Sequence, residues 1–268
     1  MRLFFIEEEN VMNARVHSVE TFGLVDGPGV RFILFLHGCP FRCQFCHNPD
    51  TWASQKFEEW TPQQALDRAL RFEPYWGKDG GITVSGGEPL VQIDFLLEFF
   101  KLAKAAGINT CIDTSGACFT REEPFFSKFE ELMKYTDLLM VDIKEINDER
   151  HQVLTGASNK RVLDMIQYLN DINKSIWIRH VLVPERSDFD EDLHALADYI
   201  DTLSNVKKVE VLPYHTLGTY KWKELNLEYQ LEGIDPPTNE RVENANKILH
   251  TDVESAVREW IWHFRFHR

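Results

Sequence analysis

Strand-like and helix-like stretches alternate along this chain, which predicts an α/β protein built as an open, partial (β/α)6 barrel, with parallel strands inside and helices outside. Three observations lead there. Six short apolar or β-branched runs end in Gly, Pro or polar residues. Five intervening segments space apolar residues at i, i+3 and i+4. Such alternation implies right-handed crossovers between parallel neighbours, and six units are too few to close an eight-stranded barrel. A flat, doubly wound sheet is the alternative architecture.

The strands are expected at RFILFLHG (31–38), GITVSGG (81–87), TCIDTSG (110–116), DLLMVDIK (137–144), SIWIRHVLVP (175–184) and KKVEVLPYH (207–215). The helices are expected at TPQQALDRALRF (61–72), VQIDFLLEFFKLAKAAG (91–107), EEPFFSKFEELMKYT (122–136), SNKRVLDMIQYLNDIN (158–173) and DEDLHALADYIDTLS (190–204). Several of these carry a capping residue at the start or a Gly at the end. No linker rich in Gly, Pro or Ser interrupts the series, and no sequence repeat underlies it.

With 268 residues, 43% apolar and 27% charged, the chain has ample material for a core. Its five cysteines are odd in number and clustered, unlike a secreted disulfide framework, so a reducing, cytoplasmic setting is expected. No signal-peptide core and no membrane-length apolar run is present, so no membrane partner is expected. A formal charge of −14 argues against nucleic acid as the main partner. Met12 is an alternative start, because the segment before it is short and aperiodic; the other reading of that segment is an ordered N-terminal strand.

In sheets of this kind, chemistry collects at the carboxyl ends of the strands. The first strand leads into Cys39-x3-Cys43-x2-Cys46, three thiols in eight residues. A structural zinc site needs a fourth ligand, and His47 is adjacent to Cys46, where one backbone rarely aims both side chains at one metal. Unreactive buried thiols would have to crowd a loop containing Pro, Arg and Asn. Three thiolates on a [4Fe–4S] cluster would leave the fourth iron open to an external ligand.

At the second strand end, Gly86 and Gly87 let a ligand lie against the backbone and Glu88 can accept hydrogen bonds from an ammonium group; a tight turn is the plainer reading. Asp142 and Lys144 lie two apart on one strand and share a face, paired with each other or turned to a ligand. Arg179 lies on the fifth strand, and His215 closes the sixth. Upstream, Gly-Pro-Gly at 27–29 makes a tight turn that brings Asp26 near the barrel mouth. Cys111 and Cys118 read as packed thiols without a metal role.

The cysteine spacing, with aromatic Phe45 before the last thiol, resembles the radical S-adenosylmethionine (SAM) superfamily. VDGPGVRF, GCPFRCQFCHNPDTW, SGGEP, CIDTSG, VDIK, WIRHVLVP and LPYHTLG together resemble the glycyl-radical activating enzymes, most closely those of pyruvate formate-lyase, over residues 16–249. That span is the expected radical SAM domain, with 1–15 an extension and 250–268 an atypical tail with Trp260, Trp262, Phe264 and Phe266 in alternation.

The resemblance implies one [4Fe–4S] cluster on Cys39, Cys43 and Cys46, with the methionyl amine and carboxylate of SAM on the open iron. It implies reductive cleavage to methionine and a 5′-deoxyadenosyl radical, which takes a hydrogen from a glycine of pyruvate formate-lyase. Phe45, His47, Gly86, Gly87, Glu88, Asp142, Ile143, Lys144 and His215 become cofactor-binding residues, with Glu88 at the ammonium, Lys144 at the carboxylate and His215 at the ribose. Asp113, Thr114, Met140 and Asp142 match a monovalent-cation site, and Asp26 and Arg179 are candidates for gripping the protein loop. A flavodoxin- or ferredoxin-type protein would supply the electron. No cysteine lies between Cys46 and Cys111, which excludes the second cluster of some other activases. The rivals are an activase of another glycyl-radical enzyme and a non-catalytic iron–sulfur or zinc protein.

If each of the three thiols holds one iron, replacing Cys39, Cys43 or Cys46 by Ala abolishes cluster absorbance and SAM cleavage, whereas Cys111→Ala and Cys118→Ala preserve both. An active Cys43→Ala variant would contradict the assignment.

Overall fold

The computed structural model describes residues 13–52 and 57–251. One sheet contains β1 (Ala14–Gly23), β2 (Arg31–Leu36), β3 (Glu58–Trp60), β4 (Gly81–Gly86), β5 (Asn109–Thr114), β6 (Leu138–Asp142), β7 (Ile176–Leu182) and β8 (Val206–Pro213). Its order is β3-β1-β2-β4-β5-β6-β7-β8. From β2 to β8 every neighbour is parallel, while β1 runs antiparallel to both β2 and β3. The six predicted strands are therefore the six parallel ones, in sequence order, and the sheet stays open between β3 and β8.

The helices are α1 (Pro62–Leu70), α2 (Ile93–Ala105), α3 (Phe125–Met133), α4 (Asp148–Thr155), α5 (Lys160–Asp171), α6 (Asp190–Asp201), α7 (Thr219–Glu224) and α8 (Asn239–Ile248). The predicted five are α1, α2, α3, α5 and α6. At α1 the Thr61 hydroxyl accepts from the Gln64 amide at 3.2 Å, and the Gln64 side chain accepts from the Thr61 amide at 2.9 Å. Two otherwise orphaned donors are satisfied this way.

Five elements were not expected. β1 alternates poorly, with charged and polar residues on much of its length, and it starts at Ala14, so the boundary expected at residue 16 falls inside it. β3 is only three residues long. α4, α7 and α8 are short and polar, with too few apolar positions to show a period; α4 is instead defined by its ends, an Asn147 cap and Gly156 at φ 81°. The aromatic tail and residues 1–12 lie outside the described residues.

Helices cover the outer face of the parallel strands. Phe95, Phe99 and Phe100 of α2 are wholly buried there, in one core with Leu34, Val84, Ile112 and Val141. The inner face is different. Cys111, Leu138 and Met140, with Trp177, form a small apolar floor, and the next inward positions along the same strands are Asp113, Asp142 and Arg179. Beside the floor lies fully buried Arg31, donating to Thr83 Oγ1 at 3.0 Å and Asn109 Oδ1 at 2.7 Å, which ties the amino ends of β2, β4 and β5 together. Among the described residues no helix is long and apolar enough to cross a membrane.

Because Phe99 sits at the centre of the outer core, Phe99→Ala should cost about 3–5 kcal/mol of stability. The urea midpoint reports it; an unchanged midpoint would mean that the α2 face does not carry the core.

Candidate active site

Cys39, Cys43 and Cys46 line one cavity of about 580 Å³ at the carboxyl ends of the parallel strands. The loop that carries them is held from outside by unpredicted α4. The Arg42 and Gln44 amides donate to the Thr155 and Leu154 carbonyls at 2.7 and 2.9 Å, and Phe41 meets the His151 ring edge-on at 5.4 Å. Burial pushes the free thiols up, Cys39 and Cys43 to about 12 and Cys46 to about 11. Metal binding here must therefore displace protons. The donor set, three thiols on one polar-apolar cavity wall, fits a thiophilic iron cluster.

The Gly-Gly-Glu segment joins the second strand end to this loop. A Cβ on Gly87 would lie 2.3 Å from the Gly38 carbonyl oxygen, so only glycine permits the approach. The Gly87 and Glu88 amides donate to the Leu36 and Gly38 carbonyls at 2.8 and 2.7 Å. Gly86 and Gly87 line the cavity. Glu88, expected to receive an ammonium group, is fully buried, and its carboxylate accepts from the Leu90 amide, Thr114 Oγ1, the Ser115 amide and Ser115 Oγ at 3.1, 2.6, 2.9 and 2.5 Å. With its oxygens filled from within the protein, it ties the ends of β4 and β5 together.

Lys144 reaches Asp142 Oδ2 at 2.8 Å and lies 5.4 Å from the centre of the Phe45 ring. Burial opposes its charge, but Asp142 and the Cys43 sulfur outweigh burial and hold its pKa well above the usual lysine range. Ile143, between them, points into the main core and does not line the cavity. Of the expected cation residues, Asp113, Thr114 and Asp142 line the cavity, whereas the Met140 side chain belongs to the floor. Asp113 accepts from Ser85 Oγ at 2.7 Å, and burial raises its pKa against the pull of Arg179. His47 and His215 stack with ring centres 4.1 Å apart, and burial lowers the His47 pKa.

Asp26 and Arg179 come together through the backbone. Arg179 Nη2 donates to the Val25 carbonyl at 3.0 Å, and Nη1 lies 3.5 Å from Asp113 Oδ1. Its Nε is 3.2 Å from Glu210 Oε2 but is misaligned for a hydrogen bond, so that contact is charge against charge. Thr83 Oγ1 donates to the Asp26 carbonyl at 2.6 Å, and Gly29 passes so near that a Cβ would lie 2.5 Å from the Gly80 nitrogen. Burial pushes the Asp26 carboxyl up to about 6, against Arg179 and with the help of Asp113 and Glu210.

Glu210, Ser85, Ser115 and Lys221 line the same cavity and were missed. Glu210 was within reach of the sequence: residues 208, 210 and 212 alternate onto one face of β8, opposite Trp177 and Arg179 in register. The others act through contacts between distant segments, which no local pattern announces.

Residues 33–200 match the family model described as the radical SAM superfamily. The chain belongs to that superfamily. It is 56% identical over 238 residues to the pyruvate formate-lyase-activating enzyme of Listeria monocytogenes, covering 88% of this chain and 96% of the relative. The enzyme of that name from Streptococcus mutans is 51% identical over 250 residues, 92% of this chain and 95% of the relative. A solved domain of pyruvate-formate lyase-activating enzyme from Bacteroides vulgatus shares the fold at a TM-score of 0.52 and 23% identity, over 64% of this chain and 93% of that one. Membership gives the chain a [4Fe–4S] cluster and SAM as cofactors, and closes the zinc and non-catalytic alternatives.

Folding raises Asp26 from 3.8 to about 6, so the stability it contributes is whole below the unfolded value and lost as pH rises through the folded one. Asp26→Asn should therefore gain on wild type between about pH 4 and pH 6. Denaturant midpoints across that window test this, and a constant difference would contradict it.

Proposed function

We propose that this chain generates a glycyl radical in pyruvate formate-lyase. The observation that carries the proposal is one cavity walled by three thiols and the Lys144–Asp142 pair, in a chain 56% identical to a pyruvate formate-lyase-activating enzyme. When bound, the cluster supplies the electron that cleaves SAM to methionine and a 5′-deoxyadenosyl radical.

The chain's own residues bind, aim and shield. Cys39, Cys43 and Cys46 hold the cluster, and three ligands leave one iron for SAM. Lys144, kept charged by Asp142, receives the SAM carboxylate, while the Gly86–Gly87 backbone lets the methionyl end approach. Phe45 and the His47–His215 stack form the wall for the nucleoside, with His215 at the ribose. Asp113, Thr114, the Met140 backbone and Asp142 make up the monovalent-cation site, whose two carboxylates supply the negative charge. Asp26 receives the backbone of the target loop, and Arg179 holds Asp26's own loop in place through Val25.

The radical SAM domain takes in β1 through α8, in keeping with relatives that match 238 and 250 residues of this chain. The setting is the cytoplasm, in keeping with unpaired cysteines, and the electron donor is a flavodoxin- or ferredoxin-type protein.

Lys144→Ala should weaken SAM binding by about 1.5–3 kcal/mol, the worth of a hydrogen bond to a charged group. Arg179→Lys keeps a charge among Asp113 and Glu210 but loses the fork that reaches Val25. It should preserve SAM affinity and lower radical yield, because a misplaced glycine forfeits the geometry that hydrogen abstraction needs. Titrating SAM against the reduced cluster, then measuring the glycyl radical by electron paramagnetic resonance, separates the two. Equal loss of SAM binding in both variants would overturn the assignment of Arg179.

A further inference from the structure

α7 is six residues long and lies against the cysteine loop. Three contacts fasten it there. At its amino end, Gly218 comes so near that a Cβ would sit 2.8 Å from His47 Cα. In its middle, Lys221 Nζ reaches Asn48 Oδ1 at 2.8 Å and Asp50 Oδ2 at 3.1 Å, and that Asp50 oxygen also meets His17 Nε2 of β1 at 2.8 Å. Next to it Trp222, 4% exposed, donates its indole N–H to the Cys46 carbonyl at 2.8 Å.

The Trp222 ring continues the contact outward. It meets Trp52 and Tyr229 edge-on, each at 5.2 Å between centres. Over Trp52, at 5.0 Å, lies the guanidinium of Arg42, whose Nη1 donates to the Cys39 carbonyl at 2.6 Å. Two of the three metal-binding residues thus have their peptide carbonyls held by side chains that share Trp52.

We propose that α7 is a latch on the metal centre and that Trp222 is its positioning residue, fixing the Cys46 peptide and closing that side of the loop to water. The physical need comes from the ligand count. A thiolate is aimed by its own backbone, and a cluster on three protein thiolates has no fourth to hold it if one swings away. The partners that orient metal ligands are worth much of the site's affinity. An indole supplies both a donor and an apolar shield, which phenylalanine would supply only in part.

The inference rests on the cluster at Cys39, Cys43 and Cys46 but not on the identity of the target protein. The test is cluster loss to an iron chelator, followed anaerobically by the bleaching of the cluster's visible absorbance in reconstituted protein. Trp222→Phe keeps a ring and removes the N–H; Lys221→Met breaks the polar contacts to Asn48 and Asp50 without touching the buried ring. The expected result is bleaching about tenfold faster in Trp222→Phe, the lower end of the usual effect for such partners. A smaller acceleration is expected in Lys221→Met, with the urea midpoint of both variants near that of wild type. Bleaching rates equal to wild type in the variants would overturn the latch while leaving the cluster assignment standing. Acceleration that only tracks a fallen midpoint would show a general structural role and overturn it too. Wild-type protein that binds no iron would overturn the cluster assignment and the latch together. If Trp222→Phe does not fold, Lys221→Met decides by the same criteria.

Discussion

The site depends on one close approach, that of Gly87 to Gly38. There the end of β4 lies against the start of the cysteine loop with no room for a side chain, and two hydrogen bonds, Gly87 to Leu36 and Glu88 to Gly38, extend the parallel pairing past the last strand residue. Glu88 then turns inward and takes four hydrogen bonds, three of them from Thr114 and Ser115 at the end of β5. Three consecutive strand ends are fixed relative to one another before any cofactor binds. A buried carboxylate is tolerable only because every one of those donors is present.

Around that frame the charges are arranged in two sets. Lys144 and Asp142 sit toward the cysteines, within reach of Phe45, while Arg179, in register with Asp142 on the neighbouring strand, sits among Asp113, Glu210 and Asp26. Taking such groups out of water is costly, so each must have partners, and breaking a set by removing one member costs more than the pair is worth. The second set also fixes a backbone, since Arg179 holds Val25 and thereby aims Asp26. The same side chain thus serves as counter-ion and as scaffold, which is the reason its replacement by lysine is more informative than its deletion.

The parallel strands were legible because each is apolar, short and bounded, and because β-branched and helical periods alternate without interruption. Their ends were legible as chemistry because Cys39, Cys43 and Cys46, Gly86 and Gly87, Asp142 and Lys144 stand at such positions. What escaped was set by tertiary contact. β1 and β3 are added antiparallel beside β2, β1 on β2 and β3 on β1 at the edge, a pairing that leaves little periodic trace; α4 and α7 are polar and short, yet they hold the cysteine loop from either side. Glu88 shows the converse, a residue whose position was plain but whose tie to β5 was not, because three of the four groups that fill its oxygens lie 26 or 27 residues away in sequence.

The proposed reaction turns on hydrogen transfer from a protein glycine to the adenosyl group. The most direct measurement is to deuterate the α-carbon of glycine in pyruvate formate-lyase, incubate it with the reduced, reconstituted protein and SAM, and weigh the 5′-deoxyadenosine formed. One deuterium gained per glycyl radical is the predicted result; 5′-deoxyadenosine that carries none, formed alongside a glycyl radical, would contradict it.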